Sequence, residues 1–158
     1  GFARSTQLNI LHAYESLADS HVDFEQYDAA IRNYSIAMRM NIKCNNRITI
    51  AGLHRRMADV YLRMGRLNEA EDHIQRGIIL AKEVSITHQR NLFKSSVALY
   101  SQKGDYKKAL YFQERYTNLV DSLSRIETAL NLTRLLVQHK TSKKERELEG
   151  LKIEKEKK

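Results

Sequence analysis

The chain has 158 residues, 42% of them hydrophobic, which is enough for one domain with a packed core. It contains no proline and only six glycines, so hairpin turns and strand breakers are scarce and an all-α fold is expected. The formal charge of +8 is diluted: Gln138–Lys158 hold eight Lys/Arg against five Asp/Glu, and the remaining residues nineteen against fourteen. No arginine-rich run interleaved with aromatics accompanies that charge, which argues against dedicated nucleic-acid binding.

In chain order, helices are predicted near 4–22, 26–43, 47–64, 67–84, 87–103 and 106–121. Leu53, Met57, Val60 and Tyr61 show the apolar spacing that supports them. Cys44 is the single cysteine, so no intrachain disulfide or thiolate cluster can form; beside Lys43 it reads as a surface or half-buried thiol. Asn45 and Asn46 suit a corner, and "VSITHQ" (84–89) is a less distinct one. The start, "GFARSTQLNI", has no apolar core of a signal peptide and no initiating methionine, as expected of a cut or processed chain. No apolar run reaches membrane-spanning length.

A repeat underlies these elements. "ADVYLRMGRLNEAEDHIQRG" (58–77) and "VALYSQKGDYKKALYFQERY" (97–116) share a tyrosine, a glycine four residues on and an alanine five further: Tyr61, Gly65, Ala70 and Tyr100, Gly104, Ala109. "ADSHVDFEQYDAAIRNYSIA" (18–37) repeats the frame with Tyr27 and Ala30, but Glu25 stands where glycine would be. Glycine ends a helix because a left-handed backbone costs it little, and Asp105 or its equivalent can start the next one. The alanine lets the second helix approach the first closely. Each unit is therefore a helix pair, and Gly104 marks a corner, not a phosphate cradle.

This pattern resembles the tetratricopeptide repeat. Ala58, Tyr61, Gly65, Ala70 and Gly77 match it, as do Phe93, Tyr100, Gly104, Tyr106 and Ala109, and earlier Tyr14, Leu17, Ala18, Tyr27, Ala30, Tyr34 and Ala37. The intervals of 40 and 39 residues exceed the usual length of about 34. The resemblance implies a right-handed αα superhelix of three pairs, about 8–44, 47–84 and 87–121, within a domain 1–123. Residues 124–158 are expected to form a capping helix that continues into a charged, projecting one. Leu123, Ile126, Leu130, Val137 and Leu151 fall on a seven-residue frame that Lys144 interrupts. Leucines through Val137 are expected to cap the last repeat, and beyond Gln138 the Lys143–Glu147 pair supports the helix while Glu145 and Glu149 repel.

Nothing catalytic emerges. His12, His21, His54, His73, His88 and His139 form no i, i+4 pair, and there is no nucleophile elbow, Walker loop or dinucleotide fingerprint. No enzyme activity, cofactor or metal is expected, and His54 reads as a packing residue. The resemblance instead implies protein or peptide binding in a groove lined by the first helix of each pair. Carried onto this chain, that groove comprises His12, Glu15, Asp19, Val22 and Asp23, then Gly52, Arg55, Asp59, Leu62 and Arg63, then Asn91, Lys94, Ala98, Ser101 and Gln102. It would be acidic at the first unit and basic beyond, with Arg55, Arg63 and Lys94 meeting an acidic side chain or terminal carboxylate. Asp19, Asp59 and Ala98 occupy the places where the family's chaperone-tail clamp needs asparagine, so that recognition is not expected.

Repeats followed by a Lys/Glu-rich helix also resemble the sensor regions of bacterial membrane-anchored signalling proteins and transcriptional regulators. That resemblance implies a membrane span and an output domain outside these residues and a location outside the inner membrane, with the cytoplasm as the alternative. A nucleic-acid-binding helical repeat and a homodimer formed through the C-terminal helix remain the other readings.

Overall fold

The computed structural model describes residues 2–156, with side chains over 9–152; Gly1, Lys157 and Lys158 at the ends of the expected first unit and tail lie outside the described residues. Six helices and no strand occupy them: α1 (Phe2–Asp23), α2 (Tyr27–Lys43), α3 (Arg47–Arg63), α4 (Leu67–Val84), α5 (Ile86–Gln102) and α6 (Tyr106–Glu156). Every start and end falls within two residues of expectation except the last. The repeat is thus a pair of helices, α3 and α4 of 17 and 18 residues in the second pair, and the chain folds as an all-α helical repeat.

The corners explain the periodicity. Gly65 and Gly104 take φ of 72° and 75°. At each the chain closes a Schellman turn: the Arg66 amide donates to the Tyr61 carbonyl at 2.9 Å and the Asp105 amide to the Tyr100 carbonyl at 2.9 Å. Glu25 and Asn45 adopt the same left-handed conformation, φ 58° and 52°, and the same hydrogen bonds follow, Gln26 to His21 and Asn46 to Asn41. Asp105 does start its helix, its Oδ1 accepting from the Lys108 amide at 3.1 Å. Its equivalents Gln26 and Arg66 make no side-chain cap bond. Ser85 turns the chain differently, in extended backbone (φ −163°), and caps α5 by accepting from the His88 amide at 3.2 Å.

A left-handed backbone costs a residue with a Cβ about 1–2 kcal/mol. Open space surrounds the Cβ position of Gly65 and of Gly104, so only the backbone is at stake there. Gly65→Ala and Gly104→Ala are each expected to cost about 1 kcal/mol, and Glu25→Gly to gain about 0.5–1 kcal/mol after the entropy of the unfolded chain is counted. Urea unfolding of the three variants beside the parent reads all of these.

Packing then follows from small residues. Ala30 and Ala37 on α2, and Ala70 and Ala81 on α4, are completely or almost completely buried, and Ala109 on α6 is buried as well. α3 lies at the centre, against α2, α4 and α5, and its Leu53, Met57, Val60 and Tyr61 are all buried. These residues face its neighbours, while Arg55, Arg56, Asp59 and Arg63 of the same helix leave a polar side. Early in α6, Phe112 stacks on Tyr100 with ring centroids 5.5 Å apart, which seats this helix on α5.

Residues 1–117 and 118–158 form two separate units. The expected end of the sixth helix near 121 is corrected: α6 runs on without interruption to Glu156. Nothing in its sequence stops it, since proline is absent and Gly150 is accommodated as a helical residue. Ile126, Leu130, Leu132, Leu135, Leu136 and Val137 are all more than half exposed.

Candidate functional site

The first helix of each pair, α1, α3 and α5, presents one face on which two hollows adjoin. One of about 290 Å³ lies between α1 and α3, lined by Asp19 and Val22 on one side and Arg55, Arg56, Asp59 and Arg63 on the other, with Tyr34 and Val60 at its base. The other, about 380 Å³, lies between α3 and α5. Arg55 and Asp59 belong to both; Leu62, Asn91, Lys94, Ser95 and Ala98 complete the second.

Hydrogen bonds organise the floor. The Arg55 guanidinium donates to Asp59 Oδ2 at 2.6 Å, one turn along the same helix, and Ser95 Oγ donates to Asp59 Oδ1 at 2.6 Å from α5. Asp59 therefore ties the second unit to the third. Asp19 ties the first unit to the second in the same way, accepting from the Tyr34 hydroxyl and from Arg56. Burial raises the Tyr34 hydroxyl pKa, and its bond to Asp19 raises it further. Burial also raises the Glu15 carboxyl, against the opposing pull of Arg56 and His12. His88 is pushed down by burial and by Arg55 and Arg56.

Three buried polar atoms on these groups have no hydrogen-bond partner: Glu15 Oε1, Arg55 Nε and His88 Nδ1. An acceptor, a donor and a ring nitrogen left unsatisfied are costly unless a ligand or water meets them. Among the described residues no ion pair engages Arg63 or Lys94, both exposed.

Of the residues expected in a groove, Arg55, Asp59, Leu62, Asn91, Lys94 and Ala98 come together in the second hollow, and Asp19, Val22 and Arg63 join Arg55 and Asp59 in the first. Ser101 and Gln102 are exposed at the end of α5 and lie outside both linings, as do His12 and Asp23. Gly52 is covered: a Cβ there would meet the His88 ring at 3.1 Å. Sequence reasoning missed Arg56, Ser95 and Tyr34. Arg56 and Ser95 each follow an assigned position by one residue, a rotation consistent with the lengthened repeat. Within the floor, Asp19 of the first pair meets Arg56 and Asp59 meets Arg55.

This fold defines a helical-repeat protein, and one face of it carries two polar, internally bonded hollows. Residues 49–122 match the tetratricopeptide repeat family, which spans the second and third pairs described above. Units of that family are protein–protein interaction modules, generally non-catalytic. A comparison with curated proteins finds no match. No helix among the described residues is long and apolar enough to cross a membrane.

Proposed function

We propose that the whole repeat region, including the first pair, acts as a tetratricopeptide module that holds an extended segment of a partner protein along α1, α3 and α5. The observation that carries this reading is the pair of adjoining hollows joined through Arg55 and Asp59. The first pair has the Schellman corner and buried alanines of the other two, although the family match begins at residue 49.

Within that groove Arg55 and Arg56 are committed to Asp59 and Asp19, so they shape the floor. Arg63 and Lys94 are the cations left to meet an acidic side chain or a terminal carboxylate. The repeat region followed by a charged helix supports a regulatory or sensor role within a larger bacterial signalling protein.

A random-peptide display library selected on the immobilised chain tests the groove. Acidic peptides should be enriched, and Arg63→Glu with Lys94→Glu should weaken them at least about tenfold, roughly 1.4 kcal/mol, with thermal unfolding unchanged. Equal binding by the variant would remove these two residues from the site. Salt-sensitive capture of mixed oligonucleotides in place of peptides would favour the nucleic-acid reading.

A further inference from the structure

We propose that residues 118–158 hold a self-association element: residues 126–137 of α6 pair with the same segment of a second copy, in antiparallel orientation. This stands independently of the groove.

The helix is continuous to Glu156, yet Ile126, Leu130, Leu132, Leu135, Leu136 and Val137 fall within twelve residues and all are exposed. So dense an apolar run on a solvated helix marks a contact surface. Leu119, Leu123, Ile126, Leu130, Thr133 and Val137 follow one another at alternating steps of four and three, the seam of a paired helix. At the next two seam positions stand Lys140 and Lys144, which ends the apolar stretch.

Charge selects the occupant and its direction. Glu127 and Arg134 are the charged residues of this segment, one of each sign, so a second copy brings no net repulsion. In an antiparallel pair a two-fold axis near residue 131 sets Ile126 against Val137 and Leu130 against Thr133, each twice, as a self-complementary contact requires. Glu127 then flanks the seam opposite Arg134 of the second copy, again twice, and Leu136 opposite Ala129. In a parallel pair none of these flanking charges would meet an opposite one, and Lys140 and Lys144 would each face their own copy, whereas the antiparallel register sets them opposite Leu123 and Leu119 of the second copy. Leu132 and Leu135 lie off the seam in either case.

Sedimentation equilibrium of the full chain tests the association. The particle should have twice the chain mass at about 100 µM and dissociate on dilution. Leu130→Glu with Val137→Glu should return a monomer whose repeat region melts as the parent does, while Ile79→Glu, at an exposed site on α4, should leave the dimer intact. Orientation is read by oxidation in a Cys44→Ser background. Ile126→Cys with Val137→Cys should cross-link into a covalent dimer, and Ile126→Cys alone should not. A parent that remains monomeric at that concentration, an assembly larger than two, or efficient cross-linking by Ile126→Cys alone would overturn the proposal.

Discussion

Gly77→Val is expected to destabilise the chain by about 2–3 kcal/mol, although replacing a glycine inside a helix ordinarily gains about 1 kcal/mol for alanine and less for a β-branched residue. Gly77 lies buried on α4 where α3, α4 and α5 meet. A Cβ there would come within 2.8 Å of Leu92 Cδ2, 3.1 Å of Leu92 Cδ1 and 3.2 Å of His54 Cβ. Leu92 is fully buried and cannot swing aside, and the His54 Cβ is held by its backbone. The added methyls must therefore push α5 or α3 away from α4. Because the Ser95 hydroxyl reaches Asp59 across α5 and α3 at 2.6 Å, that displacement also opens the floor of the second hollow. Gly77→Ala should fall between parent and Gly77→Val, its helical gain offsetting part of the clash. Urea midpoints at unchanged slope measure both; a valine variant as stable as the parent would show that the three helices are not in the close contact described.

Lowering the pH from 7 to 4 is expected to remove stability on the order of 3 kcal/mol through one residue, His54. Its pKa is held down to about 4, chiefly by burial and then by His73 and Arg76, with Asp72 pulling the other way. His73 is lowered too, mainly by burial. The two rings share a hydrogen bond, Nδ1 to Nδ1 at 2.9 Å, which requires one to donate and the other to accept; two protonated rings could not make it. Tyr61 stacks on His73 with ring centroids 5.5 Å apart. The sign follows from the direction of the shift. Below about pH 6.5 the unfolded chain takes up protons that the folded chain refuses, so stability is complete above that pH and declines as pH falls toward 4. Unfolding measured across this range should show the loss, and His54→Leu should flatten the slope. A slope that survives that substitution unchanged would place the titration elsewhere.

Much of this architecture was legible because it rests on residues whose physical demands are local. Gly65 and Gly104 had to be left-handed corners, and Ala70 and Ala109 had to be points of close approach, whatever surrounded them. Glu25 shows the limit of that logic: it takes the glycine conformation without being glycine, because the packing of the pair imposes the corner. The end of α6 was misjudged because the repeat frame stops near 121 while helical propensity does not. Arg55, Asp59, Asn91 and Lys94, expected on one face from their places in the repeat, line a common hollow. Arg56 with Asp19, and Ser95 with Asp59, join helices 36 or 37 residues apart in sequence, and which of two neighbouring residues faces inward depends on helix rotation. The His54–His73 bond, spanning 19 residues, likewise belongs to the packing of α3 on α4 and carries no local signature.

The central claim, that partners lie across α1, α3 and α5, is tested most directly by site-specific photocross-linking. A photoreactive phenylalanine analogue placed at Ala98, exposed within the second hollow, should capture a peptide selected from the library. The same group at Ile79, exposed on α4, should not. Capture from position 79 with none from position 98 would contradict the account.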